Sequence, residues 1–385
     1  MRPLRFLVLA CVAGLAVLSP LWATDALPDG LYGAFDTPKG TFICALDYAR
    51  APLPCINFVG LAEGSLAAAD GKPFYHGLTW YRVVPGFVIQ SGNPKLEDTD
   101  AYSSAYPYAF PDQFVPGLRH DAAGILSMGN KGPDTNSCEF FVTLAEQNRL
   151  NYLYTPFGRI VRGSEVLARI SQGDPLVIRI LRIGEAAKAF KADAAAFALQ
   201  RSKAPLFSGS LEPGPKARFY DPDHILGSNE RLGRMYCTKL GNFERATGIP
   251  VKVRLFAKSP PASEDNKAGV YMRGLAEKLG IAKTGVLIAC FADQVDWRVW
   301  VGDQVTSRFL GRAASPADLV EDGAFHKVKE ALLDASAAQG DARFEAERKS
   351  AAAGARPPTP ERHLRLQFDP LLDGVLSKVE GPAGG

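Results

Sequence analysis

Short apolar runs separated by glycine and proline fill the first half of the chain, from Gly30 to about Gly184. The pattern predicts a helix that includes Ile56–Leu61 and follows Pro52 and Pro54. The strand-like runs are Gly40–Leu46, Trp80–Gln90, Gly124–Met128, Phe140–Leu144 and Phe157–Val161. Many short strands with turn signals between them, and few helices, favour a closed or sandwiched β architecture.

The pattern changes beyond about residue 186. An alanine- and lysine-rich helical stretch covers residues 186–198, and prolines recur between residues 205 and 222. This composition is typical of a linker, which we place at residues 187–228. Because 385 residues exceed what one ordinary core accommodates, the linker is expected to join two domains, the first at residues 27–186.

From Asn229 onward, helices and strands alternate. The predicted elements are a helix at 231–247, a strand at 249–256, a helix at 268–279 and strands at 285–291 and 297–301. This alternation predicts an α/β domain over residues 229–316. Residues 317–385 are expected to hold one more helix, at 319–337, and a charged, alanine-rich tail that is flexible from about residue 339.

The segment 1–26 has the pattern of a secretory signal peptide. Arg2 and Arg5 precede an uncharged apolar run that reaches about Ala23, and small residues follow; this is the order typical of such signals. An uncleaved anchor is the alternative, because about 18 apolar residues can just span a bilayer. Pro20 and the small residues after the run favour cleavage. The sequence therefore predicts a periplasmic or secreted protein with no membrane association after cleavage.

Composition narrows the function classes. A hydrophobic fraction of 46% and a charged fraction of 22% are typical of a soluble globular protein. A net charge of +3 argues against a nucleic-acid-binding surface spread over the whole molecule. The chain has no H-E-x-x-H, G-x-S-x-G or P-loop motif. We therefore expect no cofactor, no metal and no nucleic-acid partner.

Five cysteines follow the predicted signal segment: Cys44, Cys55, Cys138, Cys237 and Cys290. None forms a C-x-x-C pair, so neither a thioredoxin-like site nor a zinc ribbon is indicated. Export permits disulfides. Cys44 and Cys55, which lie across a strand and the start of the next helix, are the candidate pair, and the odd count leaves at least one free thiol.

Two long motifs point to a family. They are Trp80–Gly92, with the sequence WYRVVPGFVIQSG, and Gly124–Phe141, with the sequence GILSMGNKGPDTNSCEFF. In order and spacing they resemble the two signature stretches of cyclophilin-type peptidyl-prolyl cis-trans isomerases, and the resemblance extends over residues 30–185. It implies an eight-stranded antiparallel β-barrel closed by two helices, and substrates that are proline-containing polypeptides.

The resemblance implies that Arg82 is the catalytic residue. Rotation about a peptide bond has a barrier of about 18–20 kcal/mol, because the nitrogen donates its lone pair into the carbonyl. A catalyst need only favour the twisted state, in which the prolyl nitrogen gains a usable lone pair. A guanidinium stays charged and presents a rigid set of N–H donors, so it suits this role.

The other implied site residues surround the proline ring and the substrate main chain. An apolar pocket for the ring is implied at Phe87, Val88, Phe141 and Leu150, with Tyr154 at its rim. Gln90, with the backbone of Gly129, Asn130 and Lys131, would hold the substrate main chain. Tyr81 would lie beside Arg82.

Glu139 departs from the family pattern, since it replaces the usual glutamine. It either orients the Arg82 guanidinium through an ion pair or draws the donors away from substrate. The first outcome predicts an active isomerase of exported proteins, and the second a scaffold or chaperone that binds proline segments with little turnover. Arg149 stands where cyclosporin-sensitive members have tryptophan, so we expect weak cyclosporin binding.

The second half of the chain carries a looser resemblance. The segments Gly248–Val253, Gly285–Ile288 and Val299–Gly302 resemble the TPM domain family in pattern more than in chemical residues. Members occur in exported or membrane-anchored proteins, and some act as phosphatases or repair factors. No metal ligand or catalytic residue can be carried over, so a main activity in this domain stays an alternative. The sequence leaves the oligomeric state open.

Overall fold

The computed structural model describes residues 27–66, 70–94, 108–267, 269–352 and 357–381. The predicted signal segment, residues 1–26, therefore lies outside the described residues. Two sheets organise what is described, one in each half of the chain.

The first sheet consists of β1 (Gly30–Thr37), β2 (Gly40–Leu46), β3 (Arg82–Val84), β4 (Val88–Ser91), β5 (Ile125–Met128), β6 (Phe140–Thr143), β7 (Pro156–Arg162) and β8 (Val177–Ile183). Their order is β3-β4-β6-β5-β7-β2-β1-β8, and all neighbouring pairs are antiparallel. The predicted strand at Trp80–Gln90 is a hairpin, because Pro85 and Gly86 form a turn between β3 and β4.

The two ends of this sheet come together. Trp80 N donates to Asp174 O at 3.0 Å, and Thr79 forms an isolated bridge with Pro175, which links the segment before β3 to the segment before β8. Inside lies a core rich in aromatic rings, among them Phe35, Phe42 and Phe140. This is the eight-stranded antiparallel barrel that the resemblance implied.

Among the described residues, four α-helices accompany the barrel: α1 (Pro52–Glu63), α2 (Ser164–Leu167), α3 (Glu185–Ala189) and α4 (Ala194–Lys203). The apolar face of α1 is part of the core, as Leu53 and Phe58 are fully buried. The helix α4 lies within the segment predicted as a linker. It packs on α1 and adds Phe197 to the barrel core, so this part of the segment belongs structurally to the first half.

The second half is an α/β unit, as predicted. Its strands are β9 (Phe219–Tyr220), β10 (Val251–Phe256), β11 (Val286–Phe291) and β12 (Asp296–Val301), in the order β12-β11-β10-β9. Its helices are α5 (Glu230–Thr247), α6 (Val270–Lys278), α7 (Asp303–Leu310), α8 (Ala324–Ala352) and α9 (Pro360–Val379). The strand β10 is parallel to β9 and β11, and β12 is antiparallel to β11.

The C-terminal segment differs from the predicted flexible tail. The helix α8 continues to Ala352, and α9 packs along it. Two glycines make this close approach possible, because a Cβ on Gly340 would lie 2.5 Å from Gln367 Cγ and one on Gly374 would lie 2.5 Å from Leu332 Cδ1. Apolar residues of α9 then join the core of the second half.

The candidate disulfide is not formed. Cys44 and Cys55 are both free thiols and fully buried. Cys55 Sγ instead donates to the carbonyl oxygen of Phe157 at 3.7 Å. Burial raises the pKa of both thiols, which keeps them protonated and unreactive.

Candidate functional site

Strand register places the candidate catalytic and binding residues in one row. Arg82 on β3 is opposite Gln90 on β4, and Gln90 is opposite Phe141 on β6. Because side chains alternate between the faces of a strand, Val88 shares a face with Gln90. The hairpin and β6 therefore bring a cation, an amide and apolar side chains to one face of the barrel.

Gln90 lies between Arg82 and Glu139. Arg82 Nη1 donates to Gln90 Oε1 at 3.0 Å, and Gln90 Nε2 donates to Glu139 Oε1. The Gln90 amide thus links the Glu139 carboxyl group to the Arg82 guanidinium.

Glu139 is only 7% exposed, and this burial raises the pKa of its carboxyl group to about 8. The charged form is disfavoured because a buried carboxylate loses its hydration. At neutral pH the side chain is therefore mostly uncharged. The neighbouring Gly129 leaves room for it, as a Cβ there would lie 3.1 Å from Glu139 Cγ.

A small apolar cluster, separate from the barrel core, lies beside this row. Val88, Phe141 and Leu150 are buried in it, and Phe87 and Tyr154 pack against it. These five residues are the ones named for the proline pocket and its rim. The Phe141 and Tyr154 rings meet edge to face at 5.4 Å.

Two arginines lie close to Phe87. The guanidinium carbon of Arg82 lies 5.7 Å from the centroid of the Phe87 ring, and that of Arg149 lies 4.5 Å from it. Both separations are within the range of cation–π attraction. Arg149 thus lies over an aromatic ring of the pocket cluster. Tyr81, the other named neighbour, is buried with 7% of its surface exposed.

His120 supports the pocket from behind. Its ring stacks on Phe141 at 5.7 Å, and its nitrogens lie 3.0 Å from Asn151 Oδ1 and 2.9 Å from Ser127 Oγ. Burial lowers the pKa of the imidazole to about 4. His120 is therefore neutral at physiological pH and holds the Phe141 ring in place.

The loop that carries Gly129, Asn130 and Lys131 is held by its own side chains. Asn130 Nδ2 donates to Leu153 O at 2.8 Å and to Asp112 Oδ1 at 3.3 Å. The Asn130 amide is thus engaged inside the protein. The backbone N–H groups of Gly129 and Lys131 are engaged too, with Glu139 O at 2.7 Å and Thr135 Oγ1 at 2.9 Å. The backbone peptide group of Asn130 is then what this loop can offer a substrate main chain.

Comparison with known proteins agrees with this geometry. A family model described as cyclophilin type peptidyl-prolyl cis-trans isomerase/CLD matches residues 33–185. The peptidyl-prolyl cis-trans isomerase-like 1 of Aspergillus niger is 39% identical over 137 residues, which are 36% of this chain and 79% of that protein. The chain belongs to the cyclophilin-type peptidyl-prolyl cis-trans isomerases. The matched segment, residues 33–185, is called the isomerase domain below.

Other similar proteins cover the same domain. A peptidyl-prolyl cis-trans isomerase of Schizosaccharomyces pombe is 40% identical over 134 residues, which are 35% of this chain and 81% of that protein. A solved cyclophilin-type isomerase of Cryptosporidium parvum has 26% identity and a TM-score of 0.33, and the match covers 40% of this chain and 99% of that one.

Three residues of α5 that the sequence reasoning missed contact the isomerase domain. Lys239 Nζ donates to the carbonyl oxygen of Arg149 at 3.1 Å, and Asn242 Nδ2 donates to that of Tyr152 at 2.7 Å. Arg245 forms ion pairs with Asp112 at 3.1 Å and Asp134 at 2.8 Å. Their spacing along one face of the helix was the available signal.

Acidic residues at the strand ends of the second half have local partners. Asp293 accepts hydrogen bonds from Ser259, and Asp296 pairs with Arg298 at 2.7 Å.

Within the described ranges, no group of three or more histidine, cysteine or acidic side chains is arranged to hold a metal ion. In the same ranges, no helix combines the length and apolar character needed to cross a membrane.

Proposed function

We propose that the isomerase domain acts on X-Pro bonds of exported proteins, and that Arg82 provides the catalysis. The Arg82 guanidinium would donate to the prolyl nitrogen as the amide twists and the lone pair becomes available. This interaction is stronger in the twisted state than in the planar one, so it lowers the barrier. Moving the exchange time from about 100 s to about 1 ms requires roughly 7 kcal/mol.

One observation carries the mechanism: the apolar cluster and the oriented arginine lie on the same face of the barrel. The proline ring would occupy the cluster formed by Val88, Phe141 and Leu150. Gln90 lies directly opposite Arg82 in the sheet and accepts a hydrogen bond from its guanidinium group, which limits the orientations of Arg82. A fixed ring beside an oriented cation leaves the preceding carbonyl as the part that rotates.

A proline-peptide exchange assay on the full chain tests the role of Arg82. We expect Arg82→Ala to lower kcat/KM by about 10²–10³-fold, the usual effect of removing one preorganised donor to a transition state. Arg82→Lys should retain only part of the wild-type activity, because an ammonium lacks the fork geometry. An unchanged rate in Arg82→Ala would refute the mechanism.

A binding scaffold with little turnover is the second candidate, and the hydrogen bond between Gln90 and Glu139 favours it. An ionised Glu139, which is the minor form at neutral pH, would attract Gln90 and the guanidinium away from substrate. In that case the wild-type chain would bind proline peptides without accelerating exchange, and Glu139→Gln would restore turnover. Rapid exchange in the wild type at neutral pH would reject the scaffold.

Export is proposed from the signal-like pattern of residues 1–26 alone. The full-length chain, expressed in a Gram-negative bacterium, should then appear in the periplasmic fraction. Its mature N-terminus, read by mass spectrometry, should follow Ala23 or Ala26. An intact N-terminus in the cytoplasmic fraction would contradict both the export and the exported substrates.

A TPM-like character of residues 229–316 is proposed from the three pattern segments named above. If this region carries an activity of its own, the full chain should hydrolyse a phosphate ester or bind calcium, and Arg82→Ala should leave that activity intact. A chain that does neither would leave the isomerase domain as the active part.

A further inference from the structure

A cleft of about 680 Å³ opens beside the proline pocket. One wall includes Asn130, Leu150 and Tyr154, which the family resemblance places in the substrate site. The opposite wall is formed by residues of α5 and α9. The cleft is therefore continuous with the pocket and lies between the isomerase domain and the C-terminal half.

The wall formed by α5 is firmly attached. Lys239 is 3% exposed and, besides its hydrogen bond to the Arg149 carbonyl, forms an ion pair with Asp373 of α9. The Arg245 side chain is 8% exposed and pairs with Asp112, whose side chain is completely buried. Buried, multiply bonded groups hold one geometry, so the cleft is a preformed surface.

The lining of the cleft is strongly cationic. Its charged residues are Lys131, Arg149, Arg231, Arg234, Lys239, Arg362, Arg365, Asp369 and Asp373. Seven are basic and two acidic, a balance of +5 (7 − 2). Part of this charge is compensated, since Arg234 pairs with Glu212 and Arg362 with Glu347 outside the lining.

Three arginines of the lining retain available guanidinium groups. Arg231 is exposed in the first turn of α5 and Arg365 is half-buried on α9. Among the described residues, neither forms an ion pair within 4 Å, although Arg365 lies near enough to Glu347 and Asp369 to favour the charged form of both carboxyl groups and so to lower their pKa. The third, Arg149, is exposed and lies over the Phe87 ring at the pocket. We call these three residues the arginine triplet.

We propose that the C-terminal half extends the substrate site, and that the arginine triplet binds acidic residues of the substrate polypeptide near its proline. Guanidinium groups bind carboxylates through paired hydrogen bonds. The continuity of the cleft with the pocket allows one chain to occupy both. This proposal deepens the isomerase function proposed above and rests on it.

Three peptides test the preference. They share length and a central X-Pro bond, and the flanking residues are glutamate, glutamine or lysine. For the full chain we expect kcat/KM and binding constants, the latter by fluorescence anisotropy, to favour the glutamate peptide over the glutamine peptide by about tenfold at low salt, as two or three partly exposed ion pairs allow. The preference should shrink with added salt, because screening weakens exposed charges.

Two substitutions locate the preference. In the double variant Arg231→Glu with Arg365→Gln, the glutamate-to-glutamine ratio should fall to within about twofold of one. An acidic residue suits the first turn of α5, where the helix dipole is positive, so Arg231→Glu should fold normally. The control is Arg201→Glu, an exposed position at the end of α4 outside the cleft lining, and it should keep the wild-type ratio.

The outcomes separate the two levels of the proposal. Equal binding of the three peptides, or an equal effect of the cleft and control variants, would overturn the acidic preference. Tighter binding of a single-stranded oligonucleotide than of the glutamate peptide would overturn it as well. If no peptide is isomerised, the isomerase function fails, and the binding constants still decide whether the cleft selects acidic segments.

Discussion

Burial gives Glu139 a different chemistry from that of a surface carboxylate. With a pKa raised to about 8, its neutral form predominates at physiological pH. A neutral carboxylic acid offers one acceptor oxygen and one O–H donor, so it resembles the glutamine that the family usually has. The departure from the family pattern is therefore milder at neutral pH than the residue type alone suggests.

The pH dependence of turnover follows from this. As the pH rises through about 8, Glu139 ionises and places a negative charge one hydrogen-bonded amide away from Arg82. We expect kcat/KM to fall across this range, because the carboxylate competes with substrate for the guanidinium. The profile can be measured by NMR exchange of a proline peptide, which needs no coupling protease.

Glu139→Gln is the matched variant for this prediction. It keeps the size and the hydrogen-bonding capacity of the neutral acid and cannot ionise. Its profile should be flat through pH 8, with activity close to that of the wild type at pH 6.5. The same decline in both proteins would place the titration elsewhere.

The helix α5 links the two halves of the chain. Lys239, Asn242 and Arg245 lie three residues apart, which places them along one face of the helix. They contact the carbonyl of Arg149, the carbonyl of Tyr152 and the carboxylates of Asp112 and Asp134. Residues 149–152 and the segments that carry Asp112 and Asp134 are thereby attached to the C-terminal half.

Removing Arg245 should be costly. In Arg245→Met the buried carboxylate of Asp112 loses its cation, and breaking such a pair destabilises by about 3–5 kcal/mol. Burial already raises the pKa of Asp112. In the variant, a falling pH protonates the Asp112 carboxyl group and removes its uncompensated charge. The loss of stability should therefore be largest at neutral pH and smaller at lower pH. Urea unfolding at pH 7 and pH 5 measures both values.

An exposed pair serves as the control. Arg179 and Asp36 pair at 2.6 Å with side chains 55% and 31% exposed. Arg179→Met should cost less than about 1 kcal/mol, since solvent screens such pairs. Equal losses in the two variants would contradict the structural role assigned to Arg245. The double variant Asp112→Asn with Arg245→Met should recover part of the stability.

The two halves share apolar surface as well as ion pairs. Tyr152 belongs to the isomerase domain by sequence, yet it is buried in the core of the second half. Its ring meets that of Phe114 at 5.7 Å and that of Phe243 on α5 at 5.0 Å. A second contact joins Arg119 to Ser377 and Glu380 at the end of α9.

This shared surface predicts cooperative unfolding of the whole molecule. An unfolded second half would leave Tyr152 exposed and Asp112 unpaired, so neither half is expected to keep its stability alone. Thermal melts followed by a probe in each half should give one common midpoint. Two separate midpoints would show that the halves unfold independently.

Local pattern predicted most of the strands, α5 and the first half of α8, and it missed the second half of α8 and all of α9. The strand β2 has the bounds that its apolar run indicated, and Gly248 ends α5 in a left-handed conformation. The charged, alanine-rich composition after residue 339 lacks a clear apolar face and led to a flexible tail. The helix α9 is stabilised instead by packing on α8 and on the second core.

The sequence by itself determined the family, the barrel and the residues around Arg82, because two long motifs specify them in order. Tertiary structure alone decided the protonation state of Glu139, since the fold buries its side chain against Gln90 and Gly129. The same holds for α5, whose contacts with the isomerase domain join residues far apart in the chain. A local pattern shows which side chains are present, and only packing determines which of them are buried and which come into contact.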